Sequence, residues 1–141
     1  AKRVLVLGDN TGEAVFDRLL IEHFPGKAGI FYAVKSAPVI NDVTVEEALD
    51  SGLDKVAAII PTGAAIPGTV LSKCSSEFLE IFNAAEVVLS KGQGNFETLN
   101  EEQRKIWFLF QVKCPVIAEY YRFRLGDWLL LEKEQGPLAC T

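Results

Sequence analysis

Short apolar runs recur along the chain, and most are followed by a Gly- or Asn-rich break and then by residues at helical spacing. "RVLVL", from Arg3 to Leu7, predicts a buried strand. Glu13 to Phe24 carries apolar residues at Val15, Phe16, Leu19, Leu20 and Phe24, which predicts a helix closed by Pro25-Gly26. A second strand is predicted over Gly29 to Val34, and Thr44 with Glu47 three residues on marks the capping box of a second helix. "KVAAII" from Lys55, closed by Pro61, predicts a third strand, and "PTGAAIPGTVLSKC" a loop. Ser76 to Ala84 follows as a helix, Glu86 to Leu89 and Ile106 to Phe110 as strands four and five, Pro115 to Arg124 as a short helix, and "DWLLLEKEQG" as a last strand. Strands that run apolar without clean alternation, separated by helices, predict an α/β fold: a three-layer Rossmann-like domain with a mostly parallel central sheet. No repeat, linker or low-complexity tract divides residues 1–141, so they are expected to form one domain.

In such a sheet, ligands bind beyond the carboxyl ends of the strands. Asp9 and Asn10 follow strand one, Asn41 and Asp42 follow strand two, and Thr62 and Gly63 follow strand three. Lys91, Gly92, Gly94 and Asn95 follow strand four, and Lys113 follows strand five. Two carboxylates with an amide oxygen form an all-oxygen set suited to Mg²⁺ or Mn²⁺. Lys91 and Lys113 could hold phosphate oxygens, with the backbone amides of "GQGN" and the start of the next helix as an anion nest. Metal, anion clamp and anionic substrate together predict phosphoryl transfer to water. Taken singly, each group has a plainer role: Asp9-Asn10 as a turn, Asp42 as a helix cap, Lys91 as a solvated lysine.

Composition narrows the classes. The 141 residues are 49% hydrophobic, and 14 Lys and Arg face 19 Asp and Glu for a formal charge of -5, which argues against nucleic acid as a partner. No run reaches the roughly 18 apolar residues that span a bilayer, so no membrane partner is expected. Cys74, Cys114 and Cys140 form no C-x-x-C pair, which fits a reducing, cytoplasmic setting. His23, the one histidine, sits near a helix end and reads as a cap. "KGQGNFE" has no Gly at position 97, which excludes a dinucleotide fingerprint. No pattern sets an oligomeric state.

"LGDNTGE", "INDVT" and "KGQGNFETL", followed by "KCPVIA", resemble the metal-dependent damage-control phosphatases, formerly a domain of unknown function and related to the phosphatase domain attached to some pantothenate kinases. The resemblance runs in motif order from Arg3 to about Leu131. It implies Asp9, Asn10 and Asp42 as metal ligands and Lys91 as the phosphate-binding lysine, with Asn95 and Glu97 matching the end of the third motif. The implied cation is Mg or Mn, with Ni or Co as further choices, and the implied substrate is a small phosphorylated metabolite such as a sugar phosphate or a phosphopantetheine-like compound. Family members usually carry a helical region before this core. The chain opens on Ala1 and contains no Met, so it is expected to be the C-terminal part of a longer protein. Two alternatives stay open. One is a non-catalytic module binding a phosphometabolite or nucleotide through the same nest. The other is a haloacid-dehalogenase-like phosphatase with Asp9 as nucleophile, although Thr11 stands where such enzymes carry a second Asp.

Overall fold

The first apolar run becomes a central strand of the molecule. In the computed structural model, which describes residues 1–26 and 28–136, the elements are β1 (Arg3–Leu7), α1 (Ala14–Glu22), β2 (Gly29–Val34), α2 (Val45–Asp50), β3 (Ala58–Pro61), α3 (Ser76–Ala84), β4 (Val87–Lys91), α4 (Gln93–Leu99), β5 (Ile106–Gln111), α5 (Pro115–Tyr121) and β6 (Trp128–Lys133). They build one sheet in the order β3-β2-β1-β4-β5-β6. Neighbours from β3 to β5 pair in parallel, and β6 closes the edge antiparallel to β5. The chain therefore winds outward from β1 through β2 to β3, then returns to β4 and winds the other way. That reversal between β1 and β4 is the crevice where open α/β sheets take ligands.

Helices flank the sheet on both sides, giving the three-layer α/β architecture. Leu5, Leu7, Val88, Phe108 and Phe110 pack with Phe78 and Phe82 of α3 and with Phe96 and Leu99 of α4. Phe96 anchors this side: its ring stacks on Phe110 at 4.6 Å between centroids and meets Phe108 edge-on at 5.2 Å. The opposite face packs Val4, Val6, Tyr32 and Val34 against Ala14 and Ile21 of α1 and Ala48 of α2. The capping box of α2 is formed, with the Thr44 amide donating to Glu47 Oε2 at 2.9 Å. Arg104 donates to the carbonyls of Phe82 and Ala85, which closes the end of α3.

Several boundaries differ from expectation. β3 begins at Ala58 because Leu53–Lys55 tighten into a 3₁₀ turn. β4 runs on to Lys91, so that lysine is anchored in the sheet, not in the loop. α5 stops at Tyr121 because Arg122 adopts a left-handed conformation, φ 57°. The larger difference concerns α1, whose inward residues are Ala14, Asp17 and Ile21 while Val15, Phe16 and Leu19 face outward, Phe16 70% exposed. The expected cover of both sheet faces is likewise incomplete. Beyond β1, the α1 side leaves Val87, Leu89, Trp107, Leu109 and Leu130 lining an apolar groove of about 420 Å³ with Leu20 and Phe24. Cys74 and Cys114 are free thiols, and Cys140 lies outside the described residues. Among the described residues no helix is long and apolar enough to cross a membrane.

Candidate active site

β1 ends at a glycine because its neighbour leaves no room for a side chain. A β-carbon on Gly8 would lie 2.6 Å from the Tyr32 hydroxyl oxygen. From there the chain is stitched to the loop after β2: the Val43 amide donates to the Asp9 carbonyl at 2.8 Å, and the Thr11 amide to the Asn41 carbonyl at 2.8 Å. Asn10 and Asp42 form an antiparallel bridge. These short ladders draw Asp9, Asn10 and Asp42 together from two different strand ends. Asp42 Oδ2 also lies 3.9 Å from Nζ of Lys35, a buried lysine whose ammonium donates to the Gly68 carbonyl.

The β4 side meets this corner through Lys91 and Gly92. Lys91 is buried, and its ammonium donates to Glu13 Oε2 at 2.5 Å and to Asp17 Oδ1. The other oxygen of Asp17 accepts from the Tyr32 hydroxyl at 2.6 Å. Burial pulls the Lys91 pKa down, but the two carboxylates outweigh it and leave the ammonium above its ordinary value. Gly92 has φ 86°, and a β-carbon there would overlap the Asp9 carboxylate.

The remaining candidates divide between cleft and scaffold. Lys113 lines a cleft with Asp9, Glu13, Gly92, Gln93 and Trp128. Its backbone amide donates to Gln93 Oε1 at 2.8 Å, while Gln93 Nε2 donates to Glu97 at 2.7 Å. Glu97 is thus an outer support of the turn that carries Lys113. Asn95 is a buried tie: Nδ2 donates to the carbonyls of Lys91 at 2.7 Å and Gly8 at 3.3 Å, and Oδ1 accepts from Thr69 at 2.8 Å. Gly94 lies against Gly68 of the loop after β3. In the "GQGN" turn, the Gly92 amide is already bonded to the Leu109 carbonyl at 3.0 Å, which removes it from the expected nest. His23 lies at the end of α1 with Nδ1 2.7 Å from the Leu19 carbonyl, away from this cleft.

Crowded carboxylates set the electrostatics. Asp9 is pushed up from 3.8 to about 6 by burial, then by Glu13 and Asp42, against the opposing pull of Lys113 and Lys91. Asp42 is raised by burial, with Lys35 pulling it down. Burial holds Lys35 below the usual lysine range, partly offset by Asp42. A divalent cation beside Asp9 and Asp42 would relieve the cost of ionising both. No group of three or more His, Cys, Asp or Glu is placed to hold a metal among the described residues. The available donors are instead two carboxylates and the Asn10 amide, and such oxygen ligands fit a hard cation whose other positions are filled by water and substrate.

Lys35 directly follows β2 and so carries the strand-end signal, although it is absent from the expected site; Glu13, Asp17 and Tyr32 carry no strand-end signal. Asp17 did carry a signal: it stands at i+3 from Ala14 and i−4 from Ile21, on the small-residue side of α1. The more conspicuous stripe of Val15, Phe16 and Leu19 concealed it.

Residues 1–129 match the damage-control phosphatase ARMT1-like domain. The chain is 46% identical over 129 residues to a damage-control phosphatase of Pyrococcus horikoshii, covering 89% of this chain and 45% of that protein. It is 30% identical over 128 residues to a damage-control phosphatase of Archaeoglobus fulgidus, covering 89% and 44% respectively. A crystal structure of a DUF89 family protein from Pyrococcus horikoshii superposes with a TM-score of 0.90 at 40% identity, over 94% of this chain and 48% of that one. The chain thus spans a little under half the length of the curated relatives it matches. Both the order of the strand-end motifs and the fold that joins them are accounted for by one ancestry: the chain belongs to the damage-control phosphatase ARMT1-like domain family.

Proposed function

We propose that this chain is the α/β part of a divalent-metal-dependent phosphatase that hydrolyses a small phosphorylated metabolite, a sugar phosphate or a phosphopantetheine-like compound. The observation that carries this reading is the Asn10–Asp42 bridge, which with the Val43–Asp9 hydrogen bond joins the ends of β1 and β2 and gathers two carboxylates and an amide next to the crevice between β1 and β4. Asp9, Asn10 and Asp42 would hold the cation, with Mg²⁺ or Mn²⁺ matched best by oxygen donors and Ni²⁺ or Co²⁺ as substitutes. When bound, such an ion supplies Lewis acidity, lowering the pKa of water and neutralising phosphate charge.

The chain's own groups do the rest. Lys113 on the cleft wall offers a positive charge to the phosphate, whereas Lys91, held behind Glu13 at the end of β4, would reach a phosphate oxygen only by exchanging the Glu13 carboxylate for it. Asn95 holds the Lys91 and Gly8 carbonyls together, so the ends of β4 and β1 keep their spacing as substrate enters. The dense set of carboxylates, with Asp9 already held near 6, opposes an anionic substrate until a cation is present, so metal is expected to precede substrate. A preceding helical region of the longer protein would help enclose the substrate, and a cytoplasmic setting suits the free thiols.

The test is phosphate release by the longest natural form of the protein. Chelator-treated protein is supplied with Mg²⁺ or Mn²⁺ and a panel of sugar phosphates and phosphopantetheine-type compounds. Turnover is expected with metal only; Asp9→Ala should abolish it, and His23→Ala should leave it within about twofold. Binding of a panel member with no phosphate release would favour the non-catalytic module, and an acyl phosphate trapped on Asp9 would favour the covalent mechanism.

A further inference from the structure

Glu13 sits where the cation side and the anion side of the cleft meet. One carboxylate oxygen accepts from Asn10 Nδ2 at 3.3 Å and the other from Lys91 Nζ at 2.5 Å. A carboxylate only accepts, so it must face the amino end of the Asn10 amide, which leaves Asn10 Oδ1 turned away. No hydrogen bond to Oδ1 is found among the described residues. Lys91 itself cannot move freely, because it is also paired with Asp17, whose side chain is 3% exposed and fixed by Tyr32. The Glu13 side chain, 31% exposed, is the one member of this set that borders the cleft.

We infer that Glu13 is a positioning residue: by accepting from Lys91 with one oxygen and from Asn10 with the other, it fixes the Asn10 amide with its oxygen available to the cation. This rests on the reading of Asp9, Asn10 and Asp42 as cation ligands. A carboxylate is required because a glutamine has a single acceptor. In Glu13→Gln the lysine ammonium would take the amide oxygen, the amide nitrogen would face Asn10, and the Asn10 amide would turn over and present nitrogen where oxygen is needed.

The test is calorimetric titration of Mn²⁺, without substrate, into the longest natural form of the protein and its variants. Glu13→Gln should weaken Mn²⁺ binding by about tenfold or more, as loss of an outer-shell orienting partner does. The same substitution in a Lys91→Met/Asp17→Asn background, which removes the competing ammonium together with its buried partner, should cost only about threefold, because the glutamine oxygen is then free for Asn10. A role through charge alone makes the opposite demand, since loss of Glu13 would be felt at least as strongly once Lys91 no longer offsets it. Equal losses in the two backgrounds, or parental affinity in Glu13→Gln, would overturn the inference. Asp9→Ala, run alongside, separates the failures: if it too keeps parental affinity, the ligand assignment is wrong, whereas its loss beside an unaffected Glu13→Gln removes Glu13 alone. Near-ultraviolet circular dichroism of each variant confirms that a folded protein is being titrated.

Discussion

The Asp9 carboxylate occupies the space that a side chain on Gly92 would need, so the ends of β1 and β4 interlock through a missing β-carbon. Gly92→Ala forces two conflicts at once. It displaces Asp9, and it places a β-carbon on a residue at φ 86°. The variant should lose about 1–3 kcal/mol of stability by denaturant unfolding. Its Mn²⁺ affinity should fall by about tenfold or more in calorimetry, because a ligand has been moved. Gly94→Ala is the control: its nearest contact outside α4 would be 3.5 Å from the Gly68 amide nitrogen, ordinary packing distance, so both readings should stay near the parent.

Asp9 gives the metal-free protein a distinctive pH response. Its folded-state pKa of about 6 exceeds the ordinary 3.8, so the folded state holds the proton more tightly than the unfolded chain does. Its contribution therefore lowers stability as pH rises from about 4 to about 6, and the penalty is complete above that window. Asp42 is shifted in the same direction. Asp9→Asn should raise the melting temperature of metal-free protein at neutral pH while abolishing Mn²⁺ binding. In the parent, metal affinity should weaken by about tenfold per pH unit below the Asp9 pKa, read by titration at a series of pH values.

Lys91 and Asp17 form a pair that should be tolerated together better than apart. Lys91→Met leaves a buried carboxylate without its cation and should cost about 3–5 kcal/mol. Combining it with Asp17→Asn, which keeps an acceptor for the Tyr32 hydroxyl, should recover much of that loss. A double-mutant cycle by urea unfolding measures the coupling, and strictly additive losses would contradict the network.

The outward face of α1 predicts the behaviour of residues 1–141 when produced alone. Phe16 on α1 is 70% exposed, and Leu130, 62% exposed, lines the apolar groove with Leu20 and Phe24 of the α1 side. Such a surface promotes association. Sedimentation should show concentration-dependent self-association, reduced by Phe16→Ser combined with Leu130→Ser.

The sheet was legible because buried parallel strands write themselves as apolar runs; β1, β2 and α3 have the predicted boundaries. The gathering of Asp9 and Asp42 could also be anticipated, since both follow the carboxyl ends of parallel strands, β1 and β2, which are neighbours in the sheet. The partners of Lys91 could not. Its contacts with Glu13 and Asp17 bridge 78 and 74 residues, and only the adjacency of β1 and β4 brings them together. The inward side of α1 was hidden for a related reason: a charged residue belongs in a core only when its counter-ion is known. The start of β3 was misplaced because "KVAA" satisfies strand propensity equally well, and the tertiary turn at Leu53–Lys55 decided otherwise.

The separation of Asp17 from Lys91 also has a temporal meaning. At about 5–20 residues per second of synthesis, Asp17 leaves the ribosome several seconds before the lysine that neutralises it. During that interval α1 can collapse onto β1 and β2 only by burying a carboxylate whose hydrogen bond from Tyr32 leaves its charge uncompensated. The nascent chain is thereby discouraged from closing its first half early, and arrival of β4 brings the missing ammonium together with the strand that pairs with β1.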